Sequence, residues 1–378
     1  MRLKKITNQT EFTELQAQWD ALMKGKNSSP LPLTHAWISA WWKEFGANRI
    51  LNIYCVYEQD QLIAIAPFYE EPTTYRRVPL RRLHLLTDGQ SPYSDVIYKQ
   101  DLSEQKIAEL LELIIDSNKD ELIVFAKLPK SSPTYRYFSQ SDHRHNLVIK
   151  KNLATPTIQI NCDWDVFFKK RSRKFRNSLH NKLNRFNRES DFKIEQLSIQ
   201  NTEHPALQHI IDISCHSWKV AIKGDLGSNV AGRNFVMDLV NFFGPQNKVK
   251  IWLLWKNEVP IAYELHLIHD GIAYPIRADY DERYKQFSPG SILEYSALKH
   301  LFETGEAKEY YSCADNYWYL SNWTSDICEH YNVEIFSNCL KARTLHFLEN
   351  RIVPIVRMVK SLLWKKDTST RHIRPRTA

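Results

Sequence analysis

A chain of 378 residues exceeds one typical domain of about 150 residues and accommodates two or three. With 43% hydrophobic and 25% charged residues it is neither largely disordered nor fibrous, and its six cysteines, without a C-x-x-C pair or regular spacing, fit reduced thiols better than a disulfide scaffold or zinc site. The net charge of +8 is localised: residues 169–188 hold nine Lys/Arg and no carboxylate, residues 341–378 hold ten against Glu349 and Asp367, and the remainder stands at −9.

The basic N-terminus has no apolar run behind it, so a signal peptide is not expected, and no run of about 18 apolar residues predicts a membrane span. A cytoplasmic location is the default expectation. Phe12, Leu15, Trp19 and Leu22 recur at helical spacing, as do Trp37, Trp41 and Phe45 between Thr34 as N-cap and Gly46. LNIYCVY, EQDQ and LIAIAPFY read as a β-hairpin. A helix follows at 104–117 behind Ser103, then a strand, ELIVFAKL. The polar stretch 129–146 is where a first domain could close. Phe175, Leu179, Leu183 and Phe186 put an apolar stripe on a helix whose other faces are basic. Helices are expected near 205–218 and 232–243, then a three-stranded meander over 250–280, a helix between Pro289 and Gly305, and a strand at EYYSC.

One comparison sets the architecture. Residues 53–68 (IYCVYEQDQLIAIAPF) align without a gap with 251–266 (IWLLWKNEVPIAYELH), at an offset of 198. Glu264 and His266 stand where the first copy has Ala66 and Phe68, so only the second hairpin projects polar groups. The meander then leads through YKQFSPGS into a helix start, where free N–H groups and the helix dipole favour an anion.

YKQFSPGS resembles the pyrophosphate-binding segment of GNAT-type acyltransferases, with Lys285, Ser288 and Gly290 on the basic and small positions. HSWK at 216–219, PIAYELHL, SPGSIL and YYSCADNYWYLSNWT together resemble the GNAT domain of the CelD-like branch associated with bacterial exopolysaccharide synthesis. The Fem-type peptidyltransferases are similar in containing paired GNAT-like modules. The resemblance implies an α/β fold of two GNAT-like modules, mixed central sheets flanked by helices, with a basic C-terminal helix. The expected division is 1–150 for a module without an evident CoA motif, 151–340 for the acyltransferase module, and 341–378 for a basic amphipathic segment. Where the family carries Gly-Asp and then Tyr-Lys, this chain has Ala314, Asp315, Tyr319 and Leu320.

Acyl transfer needs a proton acceptor, oxyanion donors and an acid for the leaving group. Glu264 is the candidate base, with His266 assisting, Tyr319 the candidate acid, and Asp315 an orienting group or second base. Lys285, Ser288, Pro289, Gly290 and Ser291 are the candidate residues for acetyl-CoA or another acyl-CoA; no metal is expected. Asp95 (beside Ser94), Trp218, Lys219 and Arg277 (with Asp279) are candidates for the acceptor, a small-molecule or lipid-linked sugar. Competing readings are an aminoacyl-tRNA-dependent Fem-like transferase, with residues 169–188 as the docking surface, and a non-catalytic scaffold of a polysaccharide assembly. Residues 351–366 (RIVPIVRMVKSLLWKK) could lie on an anionic membrane at its inner face.

Overall fold

The computed structural model describes residues 1–24, 30–87, 89–140, 144–188 and 192–356. Among them, thirteen strands form one continuous sheet: β1 (Arg2–Ile6), β2 (Ile50–Glu58), β3 (Gln61–Tyr75), β4 (Val78–Leu85), β5 (Ile97–Tyr98), β6 (Leu122–Pro129), β7 (Asn146–Gln159), β8 (Phe192–Ser198), β9 (Val249–Lys256), β10 (Val259–His269), β11 (Ile272–Tyr280), β12 (Glu309–Tyr311) and β13 (Ile327–Phe336). The helices on its faces are α1 (Gln9–Glu14), α2 (Gln16–Met23), α3 (His35–Phe45), α4 (Glu104–Asp116), α5 (Pro133–Ser139), α6 (Trp164–Lys169), α7 (Arg173–Arg188), α8 (Ala206–Ser214), α9 (Val230–Phe243), α10 (Pro289–Thr304) and α11 (Leu340–Phe347). The sheet order is β1-β2-β3-β4-β6-β13-β7-β12-β11-β10-β9-β8, with β5 beside β3. It is antiparallel except at β4–β6 and β11–β12, so the expected mixed α/β fold with paired modules is present.

The internal repeat is a repeat of register. Tyr54 pairs with Ala66 and Asn52 with Phe68 in the first hairpin; Trp252 pairs with Glu264 and Lys250 with His266 in the second, each position displaced by 198. Both hairpins turn through two left-handed residues, Gln59–Asp60 and Asn257–Glu258, the backbone that matches strand twist in a two-residue turn. Thr34 caps α3 by accepting from the Trp37 N–H, and α3 recurs in the second module as α9. These two helices pack on each other. The Trp37 and Phe235 rings meet edge-on at 5.1 Å, Phe45 lies 5.8 Å from Phe235, and Lys43 pairs with Asp238 at 2.8 Å. One buried cluster therefore runs from Phe12, Trp19 and Trp41 to Leu239 and Tyr263.

The sheet also joins the halves by exchange. β13, near the chain's C-terminal end, inserts between β6 and β7, while β7 pairs with β13 along most of its length and with β12 at Thr157–Gln159. Residue 150, expected as the first boundary, lies inside β7. α11 buries Ala342 and Leu345 against Leu80, Val124 and Phe336 of the first module, and the buried Glu349 pairs with Arg76 at 2.5 Å. Of the amphipathic segment 351–366, residues 351–356 are described, with Ile352, Ile355 and Val356 exposed; the rest lies outside the described residues. No helix among the described residues is long and apolar enough to cross a membrane.

Because Phe235 fills the seam between α3 and α9, Phe235→Ala should lower stability by about 3–5 kcal/mol. Urea unfolding followed by tryptophan fluorescence checks this, and the shared core should keep the transition single.

Candidate functional site

β11 and β12 pair only at Ile272–Glu309 and Ala273–Tyr310, after which β11 continues to Tyr280 without β12 beside it. The first module has the same parallel pair, β4 with β6 over Arg82–His84, but there the chain fills the gap. Residues 91–98 are buried; the Ser94 N–H donates to the Lys127 carbonyl at 3.3 Å, and the Lys127 ammonium donates to the Ser91 carbonyl at 2.6 Å. Asp95, expected to face the acceptor, belongs to this plug: its carboxylate accepts from the Val96 N–H at 2.8 Å and from the Thr134 hydroxyl. It is a local capping group of the first module.

In the second module a short 3-10 turn, Glu282–Phe287, leads from β11 into α10. Ser288 takes the left-handed conformation (φ 54°, ψ 49°) at the N-cap, and its side chain makes no capping bond, whereas Ser103 caps α4 and Asn229 caps α9. Held in that uncommon backbone region, Ser288 costs on the order of 1 kcal/mol or more. A Cβ added at Gly290 would meet only the Tyr280 ring, at 3.6 Å, so packing does not demand glycine there. Its absent side chain leaves the helix start bare. Lys285 is exposed beside it, and Lys182 of α7 donates to the Ser291 hydroxyl at 2.9 Å. Burial lowers the Lys182 pKa. The expected residues Lys285, Ser288, Pro289, Gly290 and Ser291 thus surround an open helix N-terminus, and Lys182 joins them. Its sequence signal was slight: it stands three residues past Leu179 on the stripe that packs inward.

Under α10 lies a cluster of acids. The period of two along β10 puts Glu264 and His266 on one face; Glu264 is buried, and its Oε2 lies 2.8 Å from His266 Nε2. The His266 ring sits 4.4 Å from that of Trp252. Glu294 of α10 joins them, and sequence reasoning missed it by counting only the apolar residues of this helix. Burial first, and then the charge of Glu264, push its carboxyl up to about 8, against a hydrogen bond from Trp323 and the charge of Lys182. Tyr310 and Tyr319 feel the same two carboxylates. Burial and then Glu264 and Glu294 hold Tyr310 well above the usual range, and burial followed by Glu294 pushes Tyr319 up to about 12. Tyr319 lies at the surface, stacked on Tyr317 at 5.8 Å beside a Trp318 that is 80% exposed. Asp315 accepts from the Ala154 N–H at 3.1 Å and the Asn316 N–H at 2.9 Å, which fastens this turn to β7. Among the described residues no group of three or more His, Cys, Asp or Glu is placed to hold a metal ion.

The opposite face of β10 and β11 carries the other charged candidates. Asp279 is buried; it accepts from Tyr263 at 2.8 Å and Ser214 at 2.9 Å, and pairs with Lys219 at 2.6 Å and Arg277 at 3.3 Å. Two cations thus meet one carboxylate. Burial lowers the Lys219 pKa, Asp279 opposes that, and Arg277 adds to it. Lys219 and Arg277 are therefore partners of Asp279 first, although the excess positive charge could still meet an anion. Trp218 stands 54% exposed next to them, at the start of the Trp218–Ile222 turn. Asp279→Asn would leave two half-buried cations without a counter-charge and should destabilise the chain by about 2–3 kcal/mol, measured by urea unfolding at pH 7.

Residues 173–319 match the family described as acetyltransferase (GNAT) domain. No curated protein sequence matches the chain. The fold is similar to that of FemX at 11% identity (TM-score 0.57, covering 91% of this chain and 100% of that one). It is also similar to a conserved protein of unknown function from Bacteroides thetaiotaomicron at 10% identity (TM-score 0.53, covering 89% and 100%). At such identities the likeness is one of fold. The matched stretch contains α7, the meander, the start of α10 and the acid cluster beneath it, and it is this part of the chain that is similar to a GNAT acetyltransferase domain.

Proposed function

We propose that the second module transfers an acyl group from acyl-CoA to an amine or hydroxyl of a polysaccharide or cell-envelope precursor. The observation that carries this reading is the contrast between two equivalent strand pairs: beside β4 and β6 the chain packs its own residues 91–98, whereas β11 runs on past β12 next to a helix start without a side-chain cap. A diphosphate fits there. It would meet the Gly290 N–H, the one donor of this first turn that is neither lost to Pro289 nor turned back on the Lys285 or Ser288 carbonyl, together with Lys182 and Lys285. The donor's thioester would then extend along the gap toward the Glu264–Glu294 cluster, where a nucleophile can lose its proton. Trp218, Lys219 and Arg277 offer a rim of aromatic surface and positive charge for the acceptor. The sugar nature of that acceptor rests on the CelD-like resemblance alone.

Calorimetric titration of acetyl-CoA tests the reading. Gly290→Glu should abolish binding by placing charge and bulk against the diphosphate, while Lys285→Ala or Lys182→Ala should each weaken it by roughly 1–2 kcal/mol. Unchanged affinity in a folded Gly290→Glu chain would remove this site.

A second reading, with aminoacyl-tRNA as donor, is favoured by one observation. Lys169, Lys170, Arg173 and Lys174 are exposed around the start of α7 and make no ion pair with a described carboxylate. Under that reading, charged tRNA should shift in a gel, with affinity falling by roughly a decade per decade of salt for each phosphate neutralised. No shift at low salt rejects it.

A further inference from the structure

We propose that Glu294 is the group that takes the nucleophile's proton, with the buried Glu264–His266 pair behind it as a positioning pair. The proposal rests on the acyl-CoA reading above and assigns roles within that site.

Four observations converge on Glu294. It follows Gly290 by four residues on α10, so its side chain lies one turn below the bare helix start on the same side of the helix. Its neighbours on that stripe, Leu293 and Ala297, are fully buried against β9 and β10, whereas Glu294 stays partly exposed. Glu264 is 6% exposed and bonded to His266, which leaves it a layer further from any ligand. The groups around Glu294 are one-sided among the described residues: Glu264 on β10, Tyr310 on β12, Tyr319 and Trp323 on the turn beyond, and one cation, Lys182 of α7. Two carboxylates that share so small a space do not both hold full charge readily, which makes the more accessible one a strong base in its ionised form, so turnover should rise with pH toward about 8.

In the step itself, the bond between the acceptor's nitrogen or oxygen and the acyl carbon forms while the carbon–sulfur bond breaks. The nucleophile's proton passes to the Glu294 carboxylate and from there to the departing thiolate. Glu294 thus ends as it began.

The sign of the stability effect is fixed. The folded Glu294 carboxyl keeps a proton up to about 8 that an unfolded one, with its ordinary value of 4.5, has already lost. Stability therefore falls as pH rises between these two values, and Glu294→Gln should raise the melting temperature increasingly from pH 5 to pH 9.

The test uses the full chain with 13C-labelled glutamate. Expected are one carboxyl titrating near pH 8, absent in Glu294→Gln and moved to lower pH in Glu264→Gln. With acetyl-CoA as donor and glucosamine as acceptor, Glu294→Gln should bind acetyl-CoA within twofold of wild type yet release thiol about 100-fold more slowly. Glu264→Gln should move the pH profile of turnover in the same direction as the carboxyl titration. A Glu294 carboxyl titrating in the ordinary range overturns the proposal, as does thiol release by Glu294→Gln within a factor of two of wild type. Failure of the wild-type chain to bind acetyl-CoA overturns the donor reading instead, and the carboxyl titration then still decides whether Glu294 holds the proton.

Discussion

Two parallel strands that begin side by side and then part leave backbone N–H and C=O groups facing an empty gap, and buried backbone groups are seldom left unpaired. The chain contains this arrangement twice, at β4–β6 and at β11–β12. In the first module residues 86–103 separate β4 from α4, and of these the buried residues 91–98 lie beside β6, where Ser94 bonds to the Ala126 and Lys127 carbonyls. In the second only residues 281–288 separate β11 from α10, too short a connection to do the same. Whatever binds in the second gap takes the place of the plug in the first. Duplication thus yields one closed support and one open site from a single topology, and the difference lies in the length of one connection.

The sheet beneath that opening separates two charge clusters of opposite sign. Alternation along β10 and β11 sends Glu264 toward α10 and sends Tyr263 and Asp279 toward α8. On the first face two carboxylates share one nearby cation; on the second two cations share one carboxylate. Each imbalance would be costly in a sealed core. Beside an opening, it is an arrangement that an added proton or an anionic ligand relieves.

The helices and hairpins were legible because their signals are local: caps at Thr34 and Ser103, apolar stripes, and polar turns. The repeat was legible because both copies keep the same register and turn, and the start of α10 because glycine, serine and proline mark it. β13 was not, since its pairing with β6 and β7 joins residues nearly two hundred positions apart and its sequence carries no turn of its own. Asp95 and Asp315 came from resemblance, and the contacts that hold them were not legible: Asp95 accepts from the Val96 N–H and the Thr134 hydroxyl, and Asp315 from the N–H of Ala154 on β7. Glu294 was hidden for a physical reason. A carboxylate on the inward stripe of a helix contradicts the apolar pattern by which the helix is recognised, so a reading that counts matches passes over the residue that breaks them.

The exchange of β7 and β13 explains why a closed module is retained at all. β12 is three residues long, and its outer neighbour is the end of β7, a strand whose larger part belongs to the first module's sheet. Tyr310, between β11 and β7, therefore takes its position from both halves of the chain, and the turn carrying Tyr319 is tied to the same strand through Asp315 and Ala154. On the other face, α9 is braced by α3 through Phe235. Loss of the first module would remove the strand that holds one wall of the gap, while the α10 start and the Lys219–Asp279 network lie wholly in the second. Dependence on the first module should thus be stronger for the wall built by β12 than for the diphosphate cradle, which places the support function at the strand junction rather than in any direct contact with ligand.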